Sequence, residues 1–286
     1  MMPRRIIMVK NMYKRLKKKN IILSIILLLF SLMMAMPVFW MISAAFKYES
    51  EIFDFPIKWI PEYVYLDNFK TVFNDFPYVN WYINTLIVTF FIVVATLLVS
   101  SLASYAFARM DFTGKGTIFA IYIATLMIPL EVRIIPQFIV FKELNLIDTH
   151  AALILPWLFN GFAIFLLRQF FVSIPFELSE AAKIDGCSEF RTFLQIILPL
   201  AKPALMSLTI ITFTWSWNSY MPPLIYINSS TKQLISVGIT TLRSQYVENF
   251  GGQMAGASLA LVPVIIVYLL AQKYFVEGVA LTGIKG

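Results

Sequence analysis

Apolar residues do not alternate with polar ones along this chain. They gather into long uncharged runs, at Ile21–Phe46, Trp81–Ala108, Thr117–Leu130, Ala151–Leu167, Ala204–Ile227 and Ala255–Ala271. A helix crosses the hydrocarbon core of a bilayer with roughly 20 apolar residues. Lipid satisfies no backbone hydrogen bonds, so a spanning segment is a helix or part of a closed barrel. Barrel strands alternate at period two, and these runs do not. The pattern predicts an all-α membrane protein with six transmembrane helices. The third run is short and is expected to continue past Glu131 and Arg133, and the sixth to reach Phe275. The expected spans are therefore 21–46, 81–108, 117–135, 151–167, 204–227 and 255–275.

The polar segments have a pattern of their own. In the loop 168–203, Leu178, Ala181 and Ala182 fall at i, i+3 and i+4, while Glu177, Glu180 and Lys183 share another face. This is the spacing of a short amphipathic helix. Pro175 suits its first turn, the glutamates its positive end and Lys183 its negative end. Gly186 is the expected left-handed stop. Ser188 is placed to cap a second helix with an apolar face of Phe190, Phe193, Leu194 and Ile197, ended by Pro199. The two alanines are expected to form one flat face open to close approach. A loop packed on its own bundle has the same periodicity. Residues 1–20 read as a basic arm and 21–286 as a single transmembrane domain. The loop from Lys47 to Asn80, with its acids among aromatics and prolines, is expected to be folded.

Composition agrees with this class. Hydrophobic residues make up 59% of the chain and charged residues 14%, with a mean hydropathy of +0.76; a soluble domain has about 25% charged residues. Of the 23 lysines and arginines, the arm holds Arg4, Arg5, Lys10, Lys14, Arg15, Lys17, Lys18 and Lys19. With an even number of crossings, most of the rest fall on the arm's side, so both termini and the 168–203 loop are expected to be cytoplasmic. The net charge of +7 then reports topology and proximity to anionic headgroups. Nucleic-acid binding is not expected, because the cations flank apolar runs instead of sharing one folded face. The first run is too long for a signal-peptide core, and Ser43-Ala44-Ala45 lies too late for cleavage. The single cysteine, Cys187, allows no intrachain disulfide.

Catalytic chemistry is missing. No Asp, Glu, Lys, Arg or His lies inside the first, second, fourth, fifth or sixth run. Ion-coupled carriers usually place an ionisable group or a broken helix at mid-membrane. Gly114-Lys115-Gly116-Thr117 lacks the upstream glycine of a phosphate loop, since position 110 is methionine. His150, the only histidine, has no partner ligands for a metal. No nucleophile–base pair can be built, so no catalytic site, metal or cofactor is expected. Ser100, Ser104 and Ala108, and Gly256 and Ala260, suit close helix packing. Pro37, Pro129, Pro156, Pro222, Pro223 and Pro263 can kink their helices.

Glu180-Ala181-Ala182, Gly186, Ile196, Leu198 and Pro199 match every fixed position of the EAA motif of membrane-spanning subunits of bacterial ABC importers. Asp185, Phe193, Pro203, the stretch Phe213–Tyr220 and the tail from Gln272 to Gly286 resemble the carbohydrate-uptake branch, of the maltose-permease (MalG-like) type. The resemblance implies two cytoplasmic ATPase subunits, docked through Glu180, Ala181, Ala182, Asp185, Gly186, Phe193 and Pro199. It also implies a second related permease subunit, an extracytoplasmic solute-binding protein, a carbohydrate substrate and a role for Val276–Gly286 between the ATPases. On the fifth run, Trp215, Asn218 and Pro222 lie at helical spacing, with Trp217 and Tyr220 one face over. Aromatic faces with an amide suit a sugar ring; interface-belt or packing aromatics are the competing reading. Three other readings stay open: an ABC permease for glycerol phosphate or an oligopeptide, an ion-coupled carrier, and an intramembrane enzyme. A phosphate-bearing solute would favour cations along its path, and none stands within the runs.

Overall fold

A computed structural model describes the backbone of residues 3–242 and 249–283 and the side chains of 21–242 and 249–272. Every regular element among the described residues is helical. In chain order the helices are α1 (Pro3–Ala45), α2 (Asp67–Asn74), α3 (Tyr78–Arg109), α4 (Lys115–Ala124), α5 (Leu130–Glu143), α6 (Ala151–Ser173), α7 (Glu177–Ile184), α8 (Glu189–Leu200), α9 (Lys202–Trp217), α10 (Met221–Tyr226), α11 (Ile235–Thr241) and α12 (Phe250–Gly283). Residues 3–20 are helical and run without a break into the first apolar run. The tail Val276–Gly286 lies outside the residues whose side chains are described.

Four helices are long and apolar enough to cross a membrane: Ile21–Ala45, α3, α6 and Phe250–Gln272. Two bent pairs bring the number up to six if each is one span. Lys115–Met127 meets α5 at 101°, and α8 meets α9 at 76°. The prolines are expected to kink their helices, and Pro129 does stand at the first bend; the second falls at Ala201, ahead of the expected fifth span. Ile128, ahead of Pro129, is extended at ψ 111, as the proline ring demands of its predecessor. The run 204–227 stops at Trp217 and resumes at Met221. Pro222 and Pro223 lack amide donors and are tolerated only in a helix's first turn. In α6, Leu155–Phe159 tightens into a 3₁₀ turn with Pro156 at its start.

A polar stripe on α3 holds the bundle together. Thr85, Thr89, Thr96, Ser100 and Ser104 are all buried and recur at spacings of four or seven residues, so they share one face. Thr85 Oγ1 accepts from Ile235 N at 2.9 Å, Ser216 Oγ donates to Thr89 Oγ1 at 3.1 Å, and Thr96 Oγ1 donates to Trp157 O at 3.2 Å. Ser104 Oγ donates to Ile164 O at 2.8 Å. Such bonds average about 0.6 kcal/mol in membrane bundles, so their combined effect on register matters more than any one of them.

The loop between α1 and α3 is folded. Asn68 Nδ2 donates to Ala45 O at 3.0 Å and Lys47 O at 2.8 Å. The Glu49 carboxylate accepts from Phe250 N at 2.8 Å and Gly251 N at 2.9 Å, capping the positive end of α12. A second knot forms at Asp148, which adopts φ 62. Its carboxylate accepts from Ser229 Oγ at 2.6 Å, Ser229 N at 2.8 Å, Lys232 Nζ at 2.9 Å and Asn228 N at 3.0 Å. The Ser229 hydroxyl, then the Ser229 amide and Lys232, hold the Asp148 carboxyl well below the usual carboxylate range.

Two outcomes are expected in thermal unfolding of the detergent-solubilised protein. A Cβ on Gly238 would stand 2.3 Å from the buried Trp81 ring, so Gly238→Ala should destabilise by about 1–3 kcal/mol. Gly116→Ala, with nothing within 4 Å, should not. Because the folded pKa of Asp148 is depressed, its contribution is present above its unfolded value and fades as pH falls through the carboxylate range. Asp148→Asn should lower the midpoint at pH 7 and flatten its decline toward acid.

Candidate functional site

Two groupings of side chains stand out, a cavity within the bundle and a helical knob at one end. The cavity, of 580 Å³, lies where the interruptions in three spans meet. Thr125 and Leu130 come from the first bent pair, Trp157 and Asn160 from the break in α6, and Asn218 and Pro222 from the gap between α9 and α10. At each break a local device replaces the lost helical bonds. Asn160 Oδ1 accepts from Ala163 N at 3.1 Å, an N-cap in the middle of a span. Asn218 Nδ2 donates to Thr214 O at 2.8 Å. Gly161 is required by a close approach, because a Cβ there would stand 2.7 Å from Leu126 Cδ2.

Three of the four predicted path residues, Trp215, Asn218 and Tyr220, line this cavity. Trp215 is 48% exposed, and its ring lies 5.1 Å from that of Phe162. Trp217 does not join them. It is 3% exposed, donates through Nε1 to Ala260 O at 3.1 Å and stacks on Phe213 at 5.6 Å. Two residues on along a helix is about 200° around it, which turns Trp217 into the core.

Sequence reading missed Trp157, Asn160, Phe162, Gln137 and Arg133, which also line the cavity. The signal was available in Pro129, Pro156 and the Pro222-Pro223 pair, read as kinks when they mark breaks. Arg133 supplies the cation that was not visible within the runs, because its segment folds back at the bend. No carboxylate lines the cavity, and among the described residues no group of His, Cys, Asp and Glu could hold a metal ion.

The knob comprises α7, α8 and their turn. Gly186 adopts φ 77, with Cys187 N donating to Ala182 O at 2.9 Å and Gly186 N to Lys183 O at 3.0 Å. This is the paired closure of a left-handed helix stop. Ser188 Oγ accepts from Arg191 N at 3.3 Å, the expected cap. The expected flat alanine face is split: Ser179 and Ala182 turn inward, while Glu180 and Ala181 are exposed. The outward apolar stripe is Leu178, Ala181 and Ile184, the last 87% exposed. Asp185, Gly186 and Pro199 are also exposed. Phe190 points outward as well, contrary to its expected place on the apolar face.

Phe193, read as a docking residue, is 3% exposed. It packs against Tyr105 at 5.1 Å in a cluster with Leu167, Phe171, Ile197 and Leu208. Pro199 does not end its helix, which continues to Leu200. A wider π turn over Phe193–Ile197 gives the proline ring room that an α turn would deny it.

Two residues of α3 bind the knob to the bundle, and neither was singled out from sequence. Arg109 Nη2 donates to Phe171 O at 2.7 Å and to Ile174 O, with its guanidinium 5.5 Å from the Phe176 ring. It thus caps the carbonyl end of α6 and fixes the entry to α7. Tyr105 OH donates to Glu189 Oε2 at 2.8 Å, and Lys183 Nζ donates to Glu189 Oε1 at 2.6 Å. Glu189 therefore joins α3, α7 and α8.

Residues 100–280 match the family described as "Binding-protein-dependent transport system inner membrane component". The chain is 34% identical over 270 residues to the arabinooligosaccharides transport system permease protein AraQ of Bacillus subtilis (strain 168), covering 93% of this chain and 96% of that protein. It is 34% identical over 267 residues to the sn-glycerol-3-phosphate transport system permease protein UgpE of Yersinia pestis, covering 91% and 95%. The fold matches a chain in the crystal structure of a bacterial ABC transporter involved in the import of the acidic polysaccharide alginate. The TM-score is 0.80 at 24% identity, over 91% of this chain and 97% of that one.

Arg109→Gln should free the carbonyls at the end of α6 and loosen the knob by about 1–3 kcal/mol, the cost of stranded partners of a charged donor. Hydrogen exchange over 174–186 should rise while that of the outer half of α3 stays unchanged. Equal exchange over 174–186 in Arg109→Gln and the wild-type protein would remove Arg109 from this role.

Proposed function

The chain belongs to the inner-membrane components of binding-protein-dependent transport systems, a multi-pass membrane subunit, and on that premise we propose that it is a carbohydrate permease of an ATP-driven ABC importer. Likeness to AraQ over nearly the whole chain supports a sugar as the solute. The observation that carries the reading is the cavity at the three helix breaks, walled by Trp157, Phe162 and Trp215 beside the amides of Asn160 and Asn218. Aromatic faces match the C–H faces of a pyranose, and amides match its hydroxyls. Ion-coupled carriers also use broken helices, but their coupling ions need oxygen-rich or ionisable ligands, and no carboxylate lines this cavity.

In this reading the chain is one transmembrane domain, 21–286, behind a basic arm. It crosses six times with both termini cytoplasmic, and α9 with α10 forms the fifth crossing. The knob is then a coupling element, docked to one of two cytoplasmic ATPase subunits through Glu180, Ala181, Asp185 and Gly186, with Leu178 and Ile184 adding apolar contact. Ala182 and Phe193 serve from behind, by seating the knob on the bundle. Closure of the ATPase pair displaces the knob, and Arg109 and Glu189 pass the motion to α3. A second permease subunit completes the path, and an extracytoplasmic binding protein delivers the sugar. The chain itself hydrolyses nothing. A phosphate ester is the second reading, favoured by the likeness to UgpE and by Arg133 in the cavity wall.

Gly186→Asp forces a β-carbon into a left-handed conformation and sets a charge on the docking face; Glu180→Lys reverses a charge there. In proteoliposomes holding the whole importer, each should cut the ratio of sugar imported to ATP hydrolysed while leaving insertion intact. Uptake should survive collapse of proton and sodium gradients. Unchanged coupling in both variants, or uptake that follows an ion gradient, would refute the reading.

A further inference from the structure

We propose that the cavity accepts an acidic saccharide, with Arg133 meeting a sugar carboxylate. Arg133 is the only charged side chain among the described residues that line the cavity. Among the described residues it donates no hydrogen bond and forms no ion pair, although Gln137, one turn along α5, is engaged by Tyr226 OH at 3.1 Å. The position is unfavourable for a cation, since Arg133 sits in the opening turn of α5, where the helix dipole repels positive charge. Arg133 is exposed, and among the described residues no carboxylate lines the cavity to answer it, so the cavity carries a net positive charge. A solute bearing one negative charge neutralises it.

The walls decide between anions. The cavity holds 580 Å³, far more than a glycerol phosphate fills. Its aromatic surfaces, Trp157, Phe162 and Trp215, match sugar faces better than a short polyol. A phosphomonoester carries close to two charges at neutral pH and would call for more donors than one arginine. A uronate carries one charge in a planar carboxylate that the guanidinium fork meets with two parallel hydrogen bonds. Arg133 therefore sets the charge selection, while the aromatic residues and Asn218 bind the ring. This inference rests on the carbohydrate reading above.

The test uses the complete importer, purified with its partner permease and ATPases, and intrinsic tryptophan fluorescence in nanodiscs. Trimers of galacturonate, glucuronate and mannuronate are titrated, each beside its carboxyl-reduced neutral twin, and glycerol 3-phosphate is run in parallel. At least one acidic trimer should bind better than its twin. Arg133→Gln should remove that preference by weakening acid binding about 10- to 100-fold, the range of a charge-assisted bond. Arg133→Lys, which keeps the charge without the fork, should retain part of it, and 1 M salt should erode the preference in the wild type. Equal binding of acidic and neutral trimers, or an acid preference untouched by Arg133→Gln, overturns the inference. So does Arg133-dependent binding of glycerol 3-phosphate without any uronate. In proteoliposomes, ATP-driven uptake of neutral trimers with none of the acidic trimers carried would overturn it while leaving the carbohydrate reading standing. Failure to import any sugar with ATP and binding protein present would remove the reading itself.

Discussion

Inside a hydrocarbon layer a backbone amide or carbonyl released from its helix finds no water to bond. That constraint accounts for most of the architecture. A chain that needs an opening through its bundle must interrupt helices, and each interruption strands several polar groups unless it faces protein or a cavity. Here three interruptions are gathered at one place, so they share a single polar hollow. Proline lowers the local cost by removing donors at Pro129, Pro156, Pro222 and Pro223, and asparagine supplies the missing partners at Asn160 and Asn218. The cavity is therefore where broken backbone is permitted as well as where a solute fits.

The same constraint makes α3 the spine. Its 32 residues reach about 48 Å at helical rise, unbroken and without proline. Hydroxyls along one face bond to the structures around it: Thr96 to the 3₁₀ turn of α6, Thr89 to α9, Thr85 to the start of α11. Tyr105 and Arg109, at the last turns, grip the knob. A displacement at the knob thus acts on a stiff element that touches the walls of the cavity. Close-packed interiors respond to such a push by switching between arrangements and not by continuous strain, which suits a gate with an inward and an outward state.

How far this could be read from the sequence follows from the range of the forces involved. The apolar runs were legible because bilayer thickness imposes their length. The Gly186 stop and the Ser188 cap were legible because each is decided within five residues. Orientation was not. Periodicity says that Leu178, Ala181 and Ala182 neighbour one another, but it does not say where the bundle lies, and the bundle takes Ala182 while leaving Ala181 outside. Phe193 entered the docking set through a shared motif, yet a motif records residues that matter without separating those that touch a partner from those that seat the element. Trp215 and Trp217 look alike in sequence and differ by most of a half-turn in space. Arg133 falls inside the expected third span, because Pro129 marks a kink without revealing that it turns the chain through 101°.

A gate driven from outside must be stiff where it is pushed and yielding where it opens, and the residue types are distributed accordingly. From Arg109 through Tyr105 and Glu189 to Lys183, the lever end is held by hydrogen bonds and an ion pair. Around the cavity the chain carries proline, glycine and asparagine at the joints, with large aromatics between them. Thr96, Thr89 and Thr85 of α3 bond to the 3₁₀ turn of α6, to α9 and to the start of α11, and none of these bonds reaches α4 or α5. Exchanging the two inventories would leave a bundle that bends at the knob, dissipating the applied motion before it reached the solute. On the reading proposed above, separation of lever from joint is what a subunit driven by its partners requires.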